Sequence, residues 1–572
     1  MIPDTEGMSW QAICHAMQKH RDQSIAQVQP AVPELPSELP RNVTSLPGQL
    51  LSAEVVSLTE ALPEDLVSQL RARQITSKTL TTAFLQRAGL ACKLTNCITE
   101  LLPSRALQRA EYLDSYIAEH GKPIGPLHGL PISVKEMVGM QGLDLNSAFV
   151  SWAGREPPKA DALLLQLLWN AGAVFYCRTT QPQSLMQLET TSNLYGTTVN
   201  PHNTLLTAGG SSGGEGALLG VRGSCLGVGT DIGGSIRVPA ANNGIFGFKP
   251  TSLRLPLVGC QATMAGQELV VPAIGPLSTS LEGMKMFMRA VIGQKPWLVD
   301  PNLVSMPWKE ESQLRSGQDG RRKLRVGIME DDGIVRPHPP ILRGLRSMVE
   351  RLCRDPDIEC VDFPAYKHDE AWKLTSTLYF ADGGAEEMEA IDASREPWLP
   401  LSEWVVKENA NVRELHVRDS WKLVVQKKQY KVAYQQHWNS IGTSILGPAE
   451  GTIDAARVTS SDRPIVDVLL CPVGPGCAPP HGNSKYWSYS SQWNLLEYPA
   501  IAFPTGLFCG PGDQANDAYV PRNDIDKWHH ELYQQDVYAG APISLQLVAR
   551  RFEDEKVIEA LEMMLETFNS GL

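Results

Sequence analysis

No Cys-x-x-Cys pair and no His-Glu-x-x-His motif occurs anywhere in the 572 residues of the chain. The 11 cysteines are widely spaced and odd in number, and the 12 histidines show no ligand spacing. A large chain with such cysteines is typical of a cytoplasmic protein that keeps its thiols reduced and buried. We therefore expect no disulfide framework, no metal site and no cofactor.

Long apolar runs and long basic runs are also missing. No stretch reaches the roughly 18 uninterrupted apolar residues of a membrane span, and MIPDTEGMSWQAICHAMQKHRDQ at the start has no apolar signal segment. The formal net charge is −12, and the basic stretch RSGQDGRRKLR (315–325) resembles a solvated loop before a strand. These features predict a cytoplasmic protein that binds neither nucleic acid nor membrane.

Short apolar runs alternate with helical patterns, which predicts an α/β fold whose sheet is buried on both faces. The strand candidates are LPISVKE, AVFYCRT, KLRVGIME, VDVLLCPV and ISLQLVAR. The helix candidates are TSKTLTTAFLQRAGLA with Ser77 as N-cap, RALQRAEYLDSYIAEH ending before Gly121, PPILRGLRSMVERLCRD and EDEKVIEALEMMLETF. The run ADALLLQLLWNAGAVFY predicts an amphipathic helix followed by a buried strand.

The proline-rich segment QPAVPELPSELPRNV predicts that residues 1–60 form an arm that wraps a body. No composition break divides the rest, so residues 61–572 are expected to form one large domain. Residues 296–322 and GDQANDAYVPRNDIDKWHHELYQQD (512–536) are expected to be polar surface loops.

Glycine is concentrated in one region, where thirteen of the 39 residues from Gly209 to Gly247 are glycine. A phosphate-binding P-loop would need a lysine, and none lies between Gly209 and Phe248. A dinucleotide site would need a strand directly before the glycines, and NPHNTLLTAGG is a poor strand candidate. Nucleotide binding is therefore disfavoured.

Two kinds of serine catalysis fit the region better. Gly209–Gly213 matches the Gly-x-Ser-x-Gly nucleophile elbow, with Ser211 as nucleophile and His481, His529 or His530 as base. That interpretation leaves GTDIGGSIRVP without a role. Alternatively, the peptides from Ile232 to Ser235 turn their N–H groups toward one point, and a lysine from elsewhere serves as base.

The segment GGSSGGEGALL, followed by GVGTDIGGSIRVPAANNGIFGFKPT, resembles the signature of the amidase signature family of serine amidohydrolases. GKPIGPLHGLPISVKE upstream is similar to the lysine segment of that family. The resemblance extends from about residue 50 to the end, and the sequence of these segments is most similar to that of fungal acetamidase-type amidases. It implies a single large domain, with a mixed β-sheet core covered by helices on both faces.

The resemblance also implies roles for individual residues. Lys135 would be the base, Ser211 a bridging serine after a cis peptide bond, and Ser235 the nucleophile. The further positions are an oxyanion hole at Ile232, Gly233, Gly234 and Ser235, loop-holding residues Thr230, Asp231 and Arg237, and acyl-pocket residues Leu185 and Met186. For Leu185 and Met186 a plain core role stays equally open.

The implied activity is hydrolysis of a small-molecule amide through an acyl-enzyme, by a protein that is expected to form a homodimer. One alternative is an amidotransferase A-type subunit that releases ammonia from glutamine, and another is an inactive scaffold. A fatty amide hydrolase is less expected because no membrane anchor is visible. The proline-rich arm and WNLLEYPAIAFP favour a stand-alone hydrolase, and the intact Lys135, Ser211 and Ser235 argue against a scaffold.

Overall fold

The computed structural model describes residues 5, 7–310, 314, 323–441 and 465–569. The strands are β1 (Ile98–Leu101), β2 (Pro131–Lys135), β3 (Val174–Thr179), β4 (Thr191–Ser192), β5 (Gly196–Thr197), β6 (Val199–Asn200), β7 (Asn203–Thr207), β8 (Leu226–Asp231), β9 (Phe246–Lys249), β10 (Ala273–Ser278), β11 (Leu324–Ile328), β12 (Ile358–Asp362), β13 (Val468–Pro472), β14 (Ala500–Phe508) and β15 (Pro542–Val548).

Helices precede, separate and follow these strands along the chain. They are α1 (Trp10–Ala26), α2 (Leu46–Leu50), α3 (Ala53–Glu60), α4 (Pro63–Arg71), α5 (Ser77–Thr95), α6 (Pro103–His120), α7 (Leu163–Asn170), α8 (Gly213–Gly220), α9 (Arg237–Asn243), α10 (Leu281–Ile292), α11 (Pro339–Leu352), α12 (His368–Tyr379), α13 (Ala385–Asp392), α14 (Pro400–Glu403), α15 (Val417–Ser440), α16 (Ser488–Leu495), α17 (Asp524–Leu532), α18 (Gln535–Tyr538) and α19 (Asp554–Asn569). None of the described helices is long and apolar enough to cross a lipid bilayer.

One mixed sheet organises the molecule, and eleven of the described strands belong to it in the order β1-β3-β2-β8-β10-β9-β14-β15-β13-β11-β12. The pairs β2–β3, β2–β8, β11–β12 and β11–β13 are parallel, and the other pairs are antiparallel. Strands β2, β3, β8, β10, β13 and β15 are buried at every position. For β2, β3, β13 and β15, full burial on both faces is the pattern that their apolar runs predict. The α/β fold with a mixed sheet is therefore confirmed.

Helix ends follow local signals, with one displacement from the prediction. The N-cap of α5 is Thr76, whose side chain accepts a hydrogen bond from Thr79 N, and not Ser77. The Ser77 hydroxyl group donates instead to the carbonyl of Gly129. Helix α6 ends before Gly121, which adopts the left-handed conformation as GKP predicts.

The first 60 residues contain a long helix that their proline-rich composition did not predict. Helix α1 is 17 residues long, and its His20 Nε2 lies 2.9 Å from Glu100 Oε2 at the edge strand β1. The prolines follow in an extended segment, where the carbonyl of Pro33 accepts a hydrogen bond from Lys93 Nζ of α5. We propose that an arm ends and the main domain begins at residue 60.

One of the two expected loops differs from the prediction. The stretch 512–536 contains α17 and the start of α18, and Asp526 and His529 in it are buried. Asn523 begins α17 as its N-cap and accepts a hydrogen bond from Asp526 N. The stretch 296–322 begins with a 3₁₀ turn at Pro296–Leu298. Residues 311–313 and 315–322, including most of the basic stretch, lie outside the described residues.

Candidate active site

Two parallel neighbours, β2 and β8, end side by side and bring the predicted lysine to the glycine-rich region. Val134 pairs with Val228, so Lys135 at the end of β2 lies near Thr230 at the end of β8. Lys135 Nζ donates to Thr230 Oγ1 at 2.9 Å and to Ser211 Oγ at 2.7 Å. The structure therefore brings a strand-end lysine together with the first serine of GGSSGG.

Lys135 is fully buried, and burial lowers the pKa of its ammonium group to about 7. The nearby Asp231, Cys260 and Glu215 favour the charged form and limit this shift. A lysine with a pKa near neutrality has a substantial neutral fraction at pH 7. Its amine can then accept a proton.

Ser211 and Ser235 come from two segments that are tied together. The peptide bond between Gly210 and Ser211 is cis, as the resemblance implies. Ser212 N, which follows directly, donates to the backbone carbonyl of Ser235 at 3.1 Å. Ser211 and Ser235 line one cavity, although no hydrogen bond among the described residues joins their hydroxyl groups.

The carboxylate of Asp231 holds the loop that carries Ser235. It accepts hydrogen bonds from Gly234 N at 2.9 Å, Ile236 N at 3.1 Å and Arg237 Nε at 3.0 Å. Burial opposes ionisation of Asp231, but the adjacent Arg237 outweighs it and lowers the pKa of Asp231 to about 2. A fully buried ion pair thus fixes this loop, which we call the oxyanion loop (residues 231–237).

Three successive carbonyl groups of the oxyanion loop accept hydrogen bonds from outside the cavity. Ile232 accepts from the Tyr379 hydroxyl at 2.6 Å, Gly233 from the Ser490 hydroxyl at 2.6 Å, and Gly234 from Val238 N at 2.7 Å. Sequence analysis did not identify Tyr379 or Ser490, because neither belongs to a local motif.

The N–H groups of the same loop are not all equivalent. The N–H group of Gly234 already donates to Asp231. Within the described part of the chain, those of Ile232, Gly233 and Ser235 take part in no hydrogen bond. Three of the four predicted oxyanion donors therefore remain available to a ligand.

The serines open onto a cavity of about 180 Å³. Leu185 and Met186 line it, together with Leu257, Met264 and other apolar residues. Asp231 is the one charged residue among the lining residues, and Arg237 neutralises it. The site can therefore accept an uncharged apolar group beside the serines.

The structure does not favour the nucleophile-elbow alternative. All 12 histidines lie among the described residues, and none lines the cavity. The Ser211 hydroxyl is bound by Lys135, and the His481 ring lies beside Glu189 and the carbonyl of Thr204 instead. His529 and His530 belong to α17.

Known proteins resemble this chain along most of its length. The family model described as Amidase matches residues 79–558. A putative amidase of Schizosaccharomyces pombe is 41% identical over 561 residues, covering 98% of this chain and 99% of the relative. An acetamidase of Emericella nidulans is 37% identical over 514 residues, covering 90% of each chain.

A solved structure of a fatty acid amide hydrolase shares the fold along nearly the whole length. It superposes with a TM-score of 0.89 at 32% sequence identity, covering 99% of this chain and 97% of that chain. The first 60 residues and the rest of the described chain thus match one known structure over nearly their whole length.

Proposed function

This chain belongs to the amidase signature family of amide hydrolases, and we propose that it cleaves its amide through an acyl-enzyme on Ser235. The products would be a carboxylic acid and ammonia or an amine. The observation that carries this proposal is the 2.7 Å hydrogen bond between buried Lys135 and Ser211.

In the proposed first step, neutral Lys135 takes the hydroxyl proton of Ser211 while Ser211 takes the hydroxyl proton of Ser235. Ser235 Oγ forms a bond to the amide carbon, and the carbonyl electron pair moves onto oxygen. Serine–lysine arrangements are an accepted variant of serine catalysis, and a positioned base activates the weakly nucleophilic hydroxyl.

The leaving nitrogen needs a proton before the C–N bond breaks, because an amine anion is a very poor leaving group. In the proposal, protonated Lys135 returns its proton through Ser211 to this nitrogen. Water then attacks the acyl-enzyme by the same relay, and the acid is released as Ser235 regains its proton. The sum is one amide and one water converted to one acid and one amine.

The negative charge on oxygen would be held by backbone N–H groups of the oxyanion loop. Ile232, Gly233 and Ser235 supply the donors without a partner among the described residues. Donors that are oriented before reaction stabilise a developing oxyanion without reorganisation at the moment of reaction. Thr230, Asp231 and Arg237 would hold Lys135 and the loop in place.

We propose a small uncharged acyl group, carried between Leu185, Met186 and the other apolar lining residues. The cavity of about 180 Å³ and its neutralised Asp231 support this choice. Glutamine, the substrate of an amidotransferase A-type subunit, carries an ammonium and a carboxylate group that this lining leaves unpaired. The stand-alone hydrolase is therefore the better-supported function.

We also propose a cellular compartment and an oligomeric state. Each of the eleven cysteines is a free thiol, which supports a reducing compartment such as the cytoplasm. A homodimer remains the family-level prediction.

The test is labelling by a fluorophosphonate probe followed by peptide mapping, with release of ammonia measured on a panel of amides that includes acetamide, phenylacetamide and glutamine. The expected result is a label on Ser235 and turnover of an uncharged amide. A label on Ser211, or full turnover by Ser235→Ala, would refute the proposed nucleophile. Turnover of glutamine alone would favour the amidotransferase function.

A further inference from the structure

Two buried hydroxyl groups from distant helices donate to consecutive carbonyl groups of the oxyanion loop. The Tyr379 hydroxyl at the end of α12 donates to Ile232, across 147 positions of sequence. The Ser490 hydroxyl in α16 donates to Gly233, across 257 positions. Both side chains are only 1% exposed, so these hydrogen bonds are shielded from water.

The Tyr379 contact determines where the N–H group of Gly233 points. The carbonyl of Ile232 and the N–H of Gly233 belong to one planar peptide unit and point in opposite directions. Tyr379 holds the carbonyl end, and the N–H end has no acceptor among the described residues. Burial raises the pKa of the Tyr379 hydroxyl, so it stays protonated and can only serve this carbonyl as a donor.

The Ser490 contact acts on the next peptide unit, which is held at both ends. Ser490 Oγ donates to the carbonyl of Gly233 at 2.6 Å and also lies 3.2 Å from the carbonyl of Trp487, the N-cap of its own helix. The N–H of Gly234 in the same unit donates to Asp231. This peptide is therefore a fixed support between the two available donors, Gly233 N and Ser235 N.

The two glycines of the loop are required by the approach of the same hydroxyl groups. A β-carbon at Gly233 would lie 2.9 Å from Tyr379 Oη, and one at Gly234 would lie 2.5 Å from Ser490 Oγ. Gly234 also has a φ of +133°, which side-chain-bearing residues rarely adopt. The Gly-Gly pair leaves the space that Tyr379 and Ser490 occupy.

We infer that Tyr379 and Ser490 are positioning residues that fix the orientation of the oxyanion-binding peptides. The inference rests on the proposed function, and it adds two residues that act through the backbone rather than on the substrate. Tyr379 is the stronger of the two, because its peptide unit carries an available donor and has no second anchor. A hydrogen bond to a carbonyl also polarises the attached N–H group and strengthens its donation.

The test is the Tyr379→Phe variant, which removes one hydroxyl group and leaves the ring. We expect kcat to fall about tenfold while KM stays nearly constant, because the oxyanion exists only after attack. Affinity for a trifluoromethyl ketone, which forms a tetrahedral adduct with a serine, should fall by the same factor as kcat/KM. The pH midpoint of activity should not move, because Lys135 keeps its contacts.

Tyr176→Phe is the matched control. Its buried hydroxyl group donates to the carbonyl of Gly223 at 2.5 Å, away from the cavity. This variant should lose a similar amount of thermal stability while kcat and ketone affinity stay near wild type. Ser490→Ala is a second, independent variant, and it should reduce kcat less than Tyr379→Phe does.

The outcomes separate this inference from the proposed nucleophile. Wild-type kcat and wild-type ketone affinity in folded Tyr379→Phe would overturn it, as would a loss of kcat equal to that of Tyr176→Phe. If Tyr379→Phe does not fold, an unchanged kcat in Ser490→Ala overturns the inference, and a reduced kcat with reduced ketone affinity supports it. A fluorophosphonate label on a residue other than Ser235 would instead refute the proposed function.

Discussion

Lys135 Nζ lies 2.7 Å from Ser211 Oγ, although 76 positions of sequence separate the two residues. The contact forms because β2 ends beside β8 and the turn before α8 presents Ser211 to the same point. It places an amine with a pKa of about 7 against a hydroxyl group, and both residues are buried. Several measurable consequences derive from this pair and its surroundings.

Lys135→Met should reduce kcat at least about 10³-fold, because general base catalysis of this size depends on one positioned group. Lys249→Met is the matched control. Lys249 is also fully buried with a pKa lowered to about 7 by burial, but its Nζ donates to the carbonyl of Pro250. Steady-state rates of both variants decide the matter, and substantial turnover by Lys135→Met would exclude Lys135 as the base.

The pH dependence of kcat/KM should follow the neutral fraction of Lys135. Activity should rise with pH, with a midpoint of about 7, and level off above it, because the protonated amine cannot accept a proton. Glu215 lies nearby with a pKa raised to about 7 by burial, so it could produce a similar midpoint. The rise of kcat/KM with pH should therefore persist in Glu215→Gln. If this rise were lost in Glu215→Gln, the titrating group would be Glu215 and not Lys135.

The same lysine should make stability depend on pH. Its pKa is about 7 in the folded protein and about 10.5 when exposed in the unfolded chain. The unfolded state binds more protons between these values, so stability should rise with pH from about 7 to about 10.5. Removing the group by Lys135→Met should lower this slope by about 1.4 kcal/mol per pH unit. Urea unfolding at pH 7.5 and 9 measures the slope, and equal slopes in both proteins would contradict the expectation.

Asp231→Asn should destabilise the protein by about 3–5 kcal/mol, because it leaves the buried Arg237 charge without its partner. It should also reduce kcat, since Gly234 N loses its charged acceptor. Arg346→Met is the control, because Arg346 and its partner Glu330 have side chains 58% and 50% exposed. An exposed pair contributes about 0–1 kcal/mol. Denaturant midpoints compare the two, and similar losses would contradict a special role of Asp231.

Met186→Ala should change the choice of acyl group. Shortening this cavity-lining side chain leaves room for longer acyl chains, so kcat/KM for hexanamide relative to acetamide should rise about tenfold. Leu188→Ala is the control, because Leu188 is equally buried but does not line this cavity. A ratio that changes as much in Leu188→Ala would show that Met186 is a core residue without a part in selectivity.

The sheet could be predicted because its signals are local, whereas the pairing of Lys135 with Ser211 was implied only by the resemblance of two segments to the amidase signature family. All five strand candidates are strands, because short runs rich in apolar and β-branched residues fit a sheet that is covered on both faces. Lys135 in LPISVKE is buried, which is unusual for a lysine, because the apolar residues before it form an interior strand.

What could not be predicted depends on contacts between distant segments. Nothing in the sequence around Tyr379 or Ser490 indicates that a hydroxyl group meets the oxyanion loop, because the acceptor is a backbone carbonyl that any residue would offer. Helix α1 was missed because the prolines after it dominated the composition of the first 60 residues. The cap of α5 was displaced by one residue because Ser77 and its neighbour Thr76 are both good N-caps.

The hydroxyl groups that hold the oxyanion loop make activity depend on complete folding of two distant helices. Tyr379 and Ser490 can reach the loop only when α12 and α16 have both docked against the end of β8. A chain that stalls with the sheet formed but either helix undocked would have Lys135 and Ser211 in place and an unsupported oxyanion loop. Turnover should then be the last property to appear during refolding and the first to disappear during denaturation.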